Sequence, residues 1–276
     1  MTFILQGGVA VVTGAASGIG RATARSLAQR GCAVALVDRD AAGLAEAAEE
    51  VRTLGVVVSE HTLDVADAAA VAALPEAVLA VHGRVTVLVS AAGVSLVGRF
   101  EDVTMDEFRW LVEINLFGTV GLTKAFLPAL QRERAAQIVT VSSLFGIIAP
   151  AEQTAYVASK FAVRGFSESL RHELAGTGVG VTVVHPGGVA TAIARNARVA
   201  AALDPTAEAG KTARFERTFL KTSPAVVGEA IARAIERRAP RLLVADGARA
   251  GAALQRIMPV GYWRLLRGRF ERLTRG

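Results

Sequence analysis

The sequence contains little cysteine, few aromatic residues and no long apolar run. Cys32 is the single cysteine in 276 residues, and aromatic residues make up 5%. One cysteine excludes an internal disulfide framework and is typical of a reducing compartment, so we expect Cys32 to fill the core of a cytoplasmic protein. No run reaches the about 20 apolar residues of a bilayer-spanning helix, and the first residues lack the pattern of a secretory signal. We therefore expect neither a membrane-spanning helix nor secretion.

Aliphatic residues are abundant, and they occur in short runs separated by alanine-rich stretches with helical spacing. A length of 276 residues suits one α/β domain. The runs are too continuous for a sheet with one solvated face. The sequence therefore predicts a single-domain, doubly wound parallel sheet of the Rossmann-like type, with helices on both faces. About seven strands are predicted, at Val9–Thr13, Ala33–Asp38, Val56–Leu63, Val85–Ser90, Gln137–Ser142, Val179–His185 and Arg241–Ala245.

The net charge of +6 is concentrated in one part of the chain. Residues 233–276 contain eleven arginines and three acidic residues, which gives +8 and leaves −2 for the other 232 residues. A slightly acidic body is a poor match for a phosphate backbone, so we expect no nucleic-acid partner. The basicity belongs to the C-terminal region.

A glycine-rich turn follows the first predicted strand and opens the first predicted helix. Its sequence is Thr13-Gly14-Ala15-Ala16-Ser17-Gly18-Ile19-Gly20. Glycines allow a tight turn and the close approach of a pyrophosphate, and a helix N-terminus offers unpaired N–H groups to phosphate oxygens. The spacing differs from G-x-G-x-x-G, so a tight turn without a ligand is an alternative at this point.

Asp38 ends the second predicted strand, about 20 residues after the glycine turn. A carboxylate at this place accepts hydrogen bonds from the ribose hydroxyls of a dinucleotide and repels a 2′-phosphate. Ala16 supplies no basic side chain to offset that repulsion, whereas Arg39 could pair with a phosphate or stack on adenine. The charge balance favours NAD as the cofactor, with NADP as the alternative.

A tyrosine and a lysine four residues apart lie in a stretch with the pattern of a long helix. Tyr156 and Lys160 therefore share one helix face. A phenol with a pKa of about 10 is a weak base at neutral pH, but a neighbouring ammonium lowers that pKa. The pair suits general acid/base catalysis, although surface pairs at this spacing are common.

Together these motifs resemble those of the short-chain dehydrogenase/reductase family, over about Gly8 to Ala245. The glycine turn resembles the family's TGxxxGxG segment, and Tyr156 with Lys160 resembles its YxxxK pair. Ser90 departs from the pattern, because the family has asparagine there, and this change bears on cofactor geometry rather than on the chemistry. Further matches agree in order and spacing, at the catalytic positions Asn115 and Ser143 and the cofactor positions Asp64, Val65, Ala92, Gly93, Pro186, Gly187, Val189 and Thr191.

The resemblance implies a role for each residue. Tyr156 would exchange a proton with the substrate oxygen as general acid/base, while a hydride moves to or from the nicotinamide. Ser143 would stabilise charge on that oxygen, Lys160 would hold the nicotinamide ribose and lower the Tyr156 pKa, and Asn115 would fix a water. The family's remaining cofactor contacts would fall on Gly14, Ser17, Gly18, Ile19, Gly20, Asp38 and Arg39.

The resemblance also implies a homodimer or homotetramer and a reaction that needs no metal. The residues agree with the second point, because the four histidines, His61, His82, His172 and His185, show no spacing typical of metal ligands.

The segment 189–222 interrupts the alternation of strands and helices, and we interpret it as a mobile insertion. The resemblance implies that it is a substrate lid within a catalytic domain of residues 1–250. Apolar residues in and opposite this segment predict a pocket for a hydrophobic alcohol or ketone, although they could equally anchor the lid to the body. These residues are Ala192, Ile193, Ala194, Leu203, Phe215, Phe219, Leu96, Val97 and Phe145 or Ile147.

Residues 251–276 form a basic amphipathic C-terminal extension, broken by Pro259 and Gly261. It has three interpretations: docking on its own or a neighbouring subunit, peripheral contact with an anionic membrane surface, or binding of nucleic acid. The combination of Trp, Leu and Arg fits the first two better than the third.

The sequence as a whole predicts an oxidoreductase that transfers a hydride between NAD(H) and an alcohol or carbonyl group of a hydrophobic substrate. One alternative is a dinucleotide-binding sensor or regulatory protein without turnover, since a fold and a cofactor site do not establish catalysis. An NADP-dependent reductase is the other. The complete set of Asn115, Ser143, Tyr156 and Lys160 favours the enzyme.

Overall fold

The computed structural model describes residues 2–274, with side chains described throughout except at 207, 211, 212 and 269–274. The strands within that range are β1 (Val9–Thr13), β2 (Ala33–Asp38), β3 (Val58–Thr62), β4 (Val87–Ser90), β5 (Leu96–Val97), β6 (Ala136–Val141), β7 (Val179–Pro186), β8 (Arg198–Val199) and β9 (Arg241–Val244). The α-helices are α1 (Gly18–Ala28), α2 (Ala41–Arg52), α3 (Ala68–His82), α4 (Met105–Val112), α5 (Gly118–Gln131), α6 (Thr154–Glu173), α7 (Pro205–Phe219), α8 (Pro224–Glu236), α9 (Ala248–Ile257) and α10 (Tyr262–Thr274).

Seven of the strands form one parallel sheet in the order β3-β2-β1-β4-β6-β7-β9. The strand order reverses between β1 and β4, where Thr13 lies in register with Ser90. In sheets of this kind ligands bind at such a reversal, beyond the carboxyl ends of the strands. The predicted doubly wound, Rossmann-like sheet of seven strands is confirmed.

The sheet is covered on both faces, and its central strands β1, β4 and β6 are buried at every position. Side chains alternate between the faces of a strand, so Ala10 and Val12 of β1 join one hydrophobic cluster and Val11 joins the other. Helices α1, α2 and α8 pack into the first cluster, and α3, α5 and α6 pack into the second. Cys32 is buried within the first, as expected of a small core residue.

Two regions that the sequence leaves without a regular pattern are folded. The segment 189–222, which we expected to be a mobile insertion, contains β8, which pairs with β5, and α7. The C-terminal extension consists of α9 and α10, separated at Met258–Gly261 around the predicted break. Helix α9 begins at Ala248, after Gly247 with φ +78°, so the extension starts before the predicted boundary at 251. The predicted extension's side chains at 269–274 and its residues 275–276 lie outside the described part of the chain.

Among residues 2–274, no helix combines the length and the hydropathy that a bilayer-spanning segment requires.

Candidate active site

The glycine turn brings the backbone of β1 and the N-terminus of α1 into close contact. A Cβ atom at Gly20 would lie 2.1 Å from the carbonyl oxygen of Gly14, and Gly14 itself has φ +68°. Both positions therefore require glycine. Ser17, the residue that precedes α1, makes no side-chain cap, whereas Asp40 and Asp67 cap α2 and α3. The first N–H groups of α1 are thus left for a ligand with negative charge.

Asp38 lies at the end of β2 with its carboxylate fixed beside the glycine turn. Its Oδ2 accepts a hydrogen bond from the Ala16 N–H at 3.0 Å, and its Oδ1 accepts one from the Asp40 N–H at 3.1 Å. The carboxylate therefore faces the groove that leads from the turn, while the neighbouring Arg39 is exposed. This arrangement places a negative charge near the turn without a described ion pair to neutralise it.

The strand reversal is held by a threonine hydroxyl that sequence analysis did not single out. Thr13 Oγ1 accepts from the N–H groups of Ala91 and Ala92, both at 3.2 Å. At Ser90, where the family has asparagine, the Oγ atom is buried and has no hydrogen-bond partner among the described residues. The link between β1 and the end of β4 therefore comes from Thr13 rather than from the residue at 90.

Asn115 is fully buried in a π-helical turn, Glu113–Phe117, between α4 and α5. Its Oδ1 accepts from the Val94 N–H at 2.8 Å, and its Nδ2 donates to the Val94 carbonyl at 3.0 Å and to Ser159 Oγ at 3.1 Å. Single π-helical turns occur mostly at functional sites. Here the π-helical turn places the Asn115 amide between Val94, which follows β4, and Ser159 of α6.

Tyr156 and Lys160 share one face of α6, as their spacing predicts, and this face lies next to the end of β6. The Ser143 hydroxyl lies close enough to the Tyr156 phenol to influence its pKa. Lys160 Nζ lies 5.6 Å from the centre of the Tyr156 ring and donates to the Val141 carbonyl at 3.1 Å. Ser142, the neighbour of Ser143 in sequence, is instead buried and donates to the Lys160 carbonyl at 2.8 Å. The serine next to the Tyr156 phenol is thus Ser143, the position that matches the family pattern.

The protonation of this pair differs from the sequence-based expectation. The pKa of Tyr156 lies above its usual value, because the effect of burial is larger than the opposite effect of the nearby Ser143 hydroxyl. The resemblance implied that Lys160 lowers this pKa, and the net change has the opposite direction. Burial also lowers the pKa of Lys160 to about 8. At pH 7 the phenol is therefore protonated and the lysine is mostly an ammonium.

His185, at the end of β7, lies behind the serine. Its Nδ1 is 2.9 Å from the Ser143 carbonyl oxygen, which can only accept, so Nδ1 carries the proton. Its Nε2 is buried with no hydrogen-bond partner in the described part of the chain. Burial lowers the pKa of His185 to about 4, so the ring is neutral at physiological pH. The sequence predicts His185 only as the last residue of a strand. The one local signal of its contact with Ser143 is its place directly before Pro186.

A cavity of about 520 Å³ opens at the carboxyl ends of the strands. Among the predicted site residues, its lining includes Ile19, Gly93, Ser143, Tyr156, Lys160, Pro186, Gly187, Val189 and Thr191. Asn115 lies behind this wall. The lining formed by the described residues does not include Gly14, Ser17, Gly18, Gly20, Asp38, Arg39, Asp64, Val65 or Ala92, which lie along the turn and at or just after the ends of β2, β3 and β4.

The lid and the C-terminal extension supply the apolar walls of the cavity. Predicted pocket residues in this lining are Val97, Phe145, Ile193, Ala194, Phe215 and Phe219. The expectation was wrong for Leu96, Ala192 and Leu203, which are not part of the lining, and Ile148 lines it in place of Ile147, whose side chain turns into the core. Sequence analysis missed Ala250, Gly251, Leu254 and Leu266 of the extension. No local motif marks them, because only tertiary packing brings α9 and α10 to the site.

The extension contacts its own chain, as the first of its three interpretations requires. Helix α10 packs against α7, and α9 packs on the turn after Ser143. The Tyr262 hydroxyl oxygen accepts from the Ala149 N–H at 2.9 Å, and Gly251 allows α9 to approach Leu144.

Helix α4 anchors the lid at and just after β8. Glu107 is buried, and its Oε1 accepts from the Ala201 N–H at 2.9 Å. The Arg198 guanidinium lies 3.8 Å from the centre of the Trp110 ring, a cation–π contact. These contacts fix the segment next to β8 against the body.

Within the described residues, no group of three or more His, Cys, Asp or Glu side chains is placed to hold a metal ion. A reaction without metal stays a prediction.

Comparisons with known proteins agree with this architecture. The family model for short chain dehydrogenases matches residues 8–202. SadH, a proposed oxidoreductase of Mycobacterium tuberculosis, is 41% identical over 263 residues, which cover 95% of this chain and 94% of that protein. Dehydrogenase/reductase SDR family member 7B of Bos taurus is 34% identical over 285 residues, covering 100% of this chain and 86% of that protein.

A solved structure of a short chain dehydrogenase/reductase from Burkholderia phymatum in complex with NAD has a TM-score of 0.85 and 31% identity, covering 92% of this chain and 95% of that one. An alcohol dehydrogenase from Thermococcus sibiricus complexed with 5-hydroxy-NADP has a TM-score of 0.72 and 30% identity, covering 85% and 93%. Because the family model and the relatives span most of the sequence, the chain belongs to the short-chain dehydrogenase/reductase family.

Proposed function

We propose that the protein is an NAD-dependent oxidoreductase that interconverts a hydrophobic alcohol and its carbonyl compound. The observation that carries this proposal is that Tyr156 and Ser143 line the same cavity, with Lys160 beside the Tyr156 ring. A phenol and a hydroxyl that converge on one point can hold and protonate one substrate oxygen. The catalytic domain proposed here spans residues 1–250, with a lid at about 189–222.

The glycine turn fits the pyrophosphate of a dinucleotide. A Cβ atom at position 14 or 20 would clash with the backbone, so glycine at both positions keeps the turn tight. The start of α1 has no side-chain cap, and its N–H groups can bind phosphate oxygens. The cofactor would follow Gly14–Gly20, reach Asp38 with its adenosine ribose, pass Asp64 and Val65, and end beside Gly93 and Pro186–Thr191. A bound nicotinamide supplies or accepts the hydride.

The choice between NAD and NADP rests on Asp38. Its fixed carboxylate suits ribose hydroxyls and repels a 2′-phosphate, and the relative from Burkholderia phymatum is in complex with NAD. NADP is the alternative, because Arg39 is exposed next to that position and the Thermococcus sibiricus relative is complexed with 5-hydroxy-NADP.

The residues of this chain hold and move a proton at the substrate oxygen. Tyr156 is protonated at neutral pH and donates to a carbonyl oxygen during reduction, while Ser143 stabilises the negative charge that develops there. Lys160 is the ammonium that holds ribose hydroxyls and favours the phenolate once the proton has left. Asn115 acts from behind, by fixing the backbone at Val94 and the hydroxyl of Ser159.

The substrate proposed is hydrophobic because the cavity walls are apolar. Val97, Phe145, Phe215, Phe219 and Leu254 surround the space next to Tyr156. The cavity of about 520 Å³ would hold the substrate together with the nicotinamide end of the cofactor, because the proposed cofactor residues Gly93, Pro186 and Gly187 line it as well.

Absorbance at 340 nm tests the proposal with NAD or NADP and a panel of hydrophobic secondary alcohols. We expect turnover with NAD that Tyr156→Phe abolishes. Tyr262→Phe, which alters the other tyrosine of the chain, is the matched control and keeps turnover. Binding of NAD without turnover of any alcohol, and with Tyr156→Phe indistinguishable from the parent, would instead support a sensor.

A further inference from the structure

The outer side of the C-terminal extension presents apolar side chains that are exposed among the described residues. We define the apolar tip as Ile257, Met258, Pro259 and Val260, the turn between α9 and α10. Ile257 is 79% exposed and Val260 is 90% exposed. Leu265 on α10 is exposed as well. Single exposed apolar residues are ordinary, but a consecutive run at one turn marks an interaction surface.

Arginines flank this tip. Arg249, Arg256 and Arg264 have exposed positions on α9 and α10. The sequence from 247 to 268 contains no aspartate or glutamate. The exposed side of the extension therefore combines positive charge with apolar side chains, as segments that lie in the interface of anionic membranes do.

The inner side of the same two helices belongs to the cavity. Leu254 of α9 and Leu266 of α10 line it, and Tyr262 binds the body at Ala149. The extension thus has one side in the candidate active site, and the apolar tip on its other side is exposed among the described residues.

We propose that the extension docks the protein on the surface of an anionic lipid bilayer, with the apolar tip among the headgroups and the arginines on lipid phosphates. Resting on the proposed function, a hydrophobic substrate then enters the cavity from the membrane, past Leu254 and Leu266. The bilayer would thus be both the docking partner and the source of substrate.

The size and the charge of the surface favour a bilayer over a second copy of the chain. A stable protein interface uses about 20–30 residues on each side and needs complementary shape. The apolar tip has four consecutive residues, and every charged residue from 247 to 268 is an arginine. A bilayer accepts a small apolar surface without shape complementarity, because headgroups rearrange around it.

Flotation with vesicles tests this proposal on the full chain. The vesicles contain phosphatidylcholine alone or phosphatidylcholine mixed with phosphatidylserine. We expect the protein to float with the mixed vesicles only, and to bind less at high salt, since salt screens the arginines. Point variants are preferable to truncation because removal of the extension would also open the cavity.

Ile257→Asp/Val260→Asp should weaken binding to the mixed vesicles by about tenfold or more, since two apolar side chains no longer enter the headgroup region. The matched control is Ile4→Asp/Val57→Asp, which alters two exposed aliphatic residues outside the extension and should float like the parent. Thermal unfolding and NADH binding are measured on the same samples, so that a failed fold or a failed cofactor proposal is seen separately.

Three results would overturn the proposal. The first is that the parent chain does not float with the mixed vesicles. The second is that the tip variant floats as well as the control. The third is that the parent does not bind vesicles and the tip variant has a different oligomeric mass. The last result would show that the tip lies between copies of the chain.

Discussion

His185 should make the protein less stable as the pH falls from 6.5 towards 4, and a single substitution at this residue should remove that loss of stability. The ring is completely buried, and its pKa falls from 6.5 to about 4. Between these values the unfolded chain binds a proton at this residue and the folded chain does not. Stability is therefore fully present above pH 6.5 and is lost as the pH falls towards 4. A shift of that size corresponds to about 3 kcal/mol, lost at about 1.4 kcal/mol per pH unit.

The variant that isolates this contribution is His185→Asn, whose side-chain amide can still donate to the Ser143 carbonyl but does not titrate. Urea unfolding at pH 7.5, 5.5 and 4.5 gives the free energy of unfolding of both proteins, an assay in which carboxylate titration affects both alike. We expect the variant to be less stable at pH 7.5, because it leaves a small cavity, and the difference to shrink as the pH falls. A difference that stays constant from pH 7.5 to 4.5 would refute the assignment of a buried neutral ring.

Three further changes have defined outcomes. Asp38→Asn should raise the affinity for NADP relative to NAD by about tenfold, measured as a ratio of dissociation constants, because a like charge is removed. Glu107→Ala should cost about 1–3 kcal/mol and speed proteolysis of the lid, because the Ala201 N–H loses its acceptor, whereas Asp106→Ala, at an exposed neighbour, should not. The free energy of unfolding of the parent, measured relative to that of Lys160→Met, should rise from pH 8 to 10, because the buried lysine is then neutral in the folded chain.

The fold could be predicted from the sequence because each level of pattern agreed. Continuous apolar runs such as Val9–Thr13 indicate strands buried on both faces, and the glycine turn fixes where the first helix begins. The catalytic pair could be predicted because Tyr156 and Lys160 are local to one helix. Asn115 and Ser143 came from the spacing of a family pattern, and the structure places them on separate elements around that pair.

The parts that escaped prediction depend on tertiary contacts. Helix α7 begins with Asp204 as cap and Pro205 at its first turn, a local signal that was present but hidden in a mixed segment. Leu254 lines the cavity only because α9 packs on the turn after Ser143, and Leu266 lines it only because α10 packs on α7. The upward shift of the Tyr156 pKa follows from burial, which the spacing to Lys160 does not reveal.

Transfer of deuterium tests the central claim most directly. The protein is incubated with NADH labelled with deuterium at both C4 positions and with the ketone of the alcohol that supports turnover, and the alcohol product is analysed by mass spectrometry. The account predicts an alcohol with one deuterium on the former carbonyl carbon, and no product with Tyr156→Phe. An unlabelled alcohol, or the same labelled yield from both proteins, would contradict it.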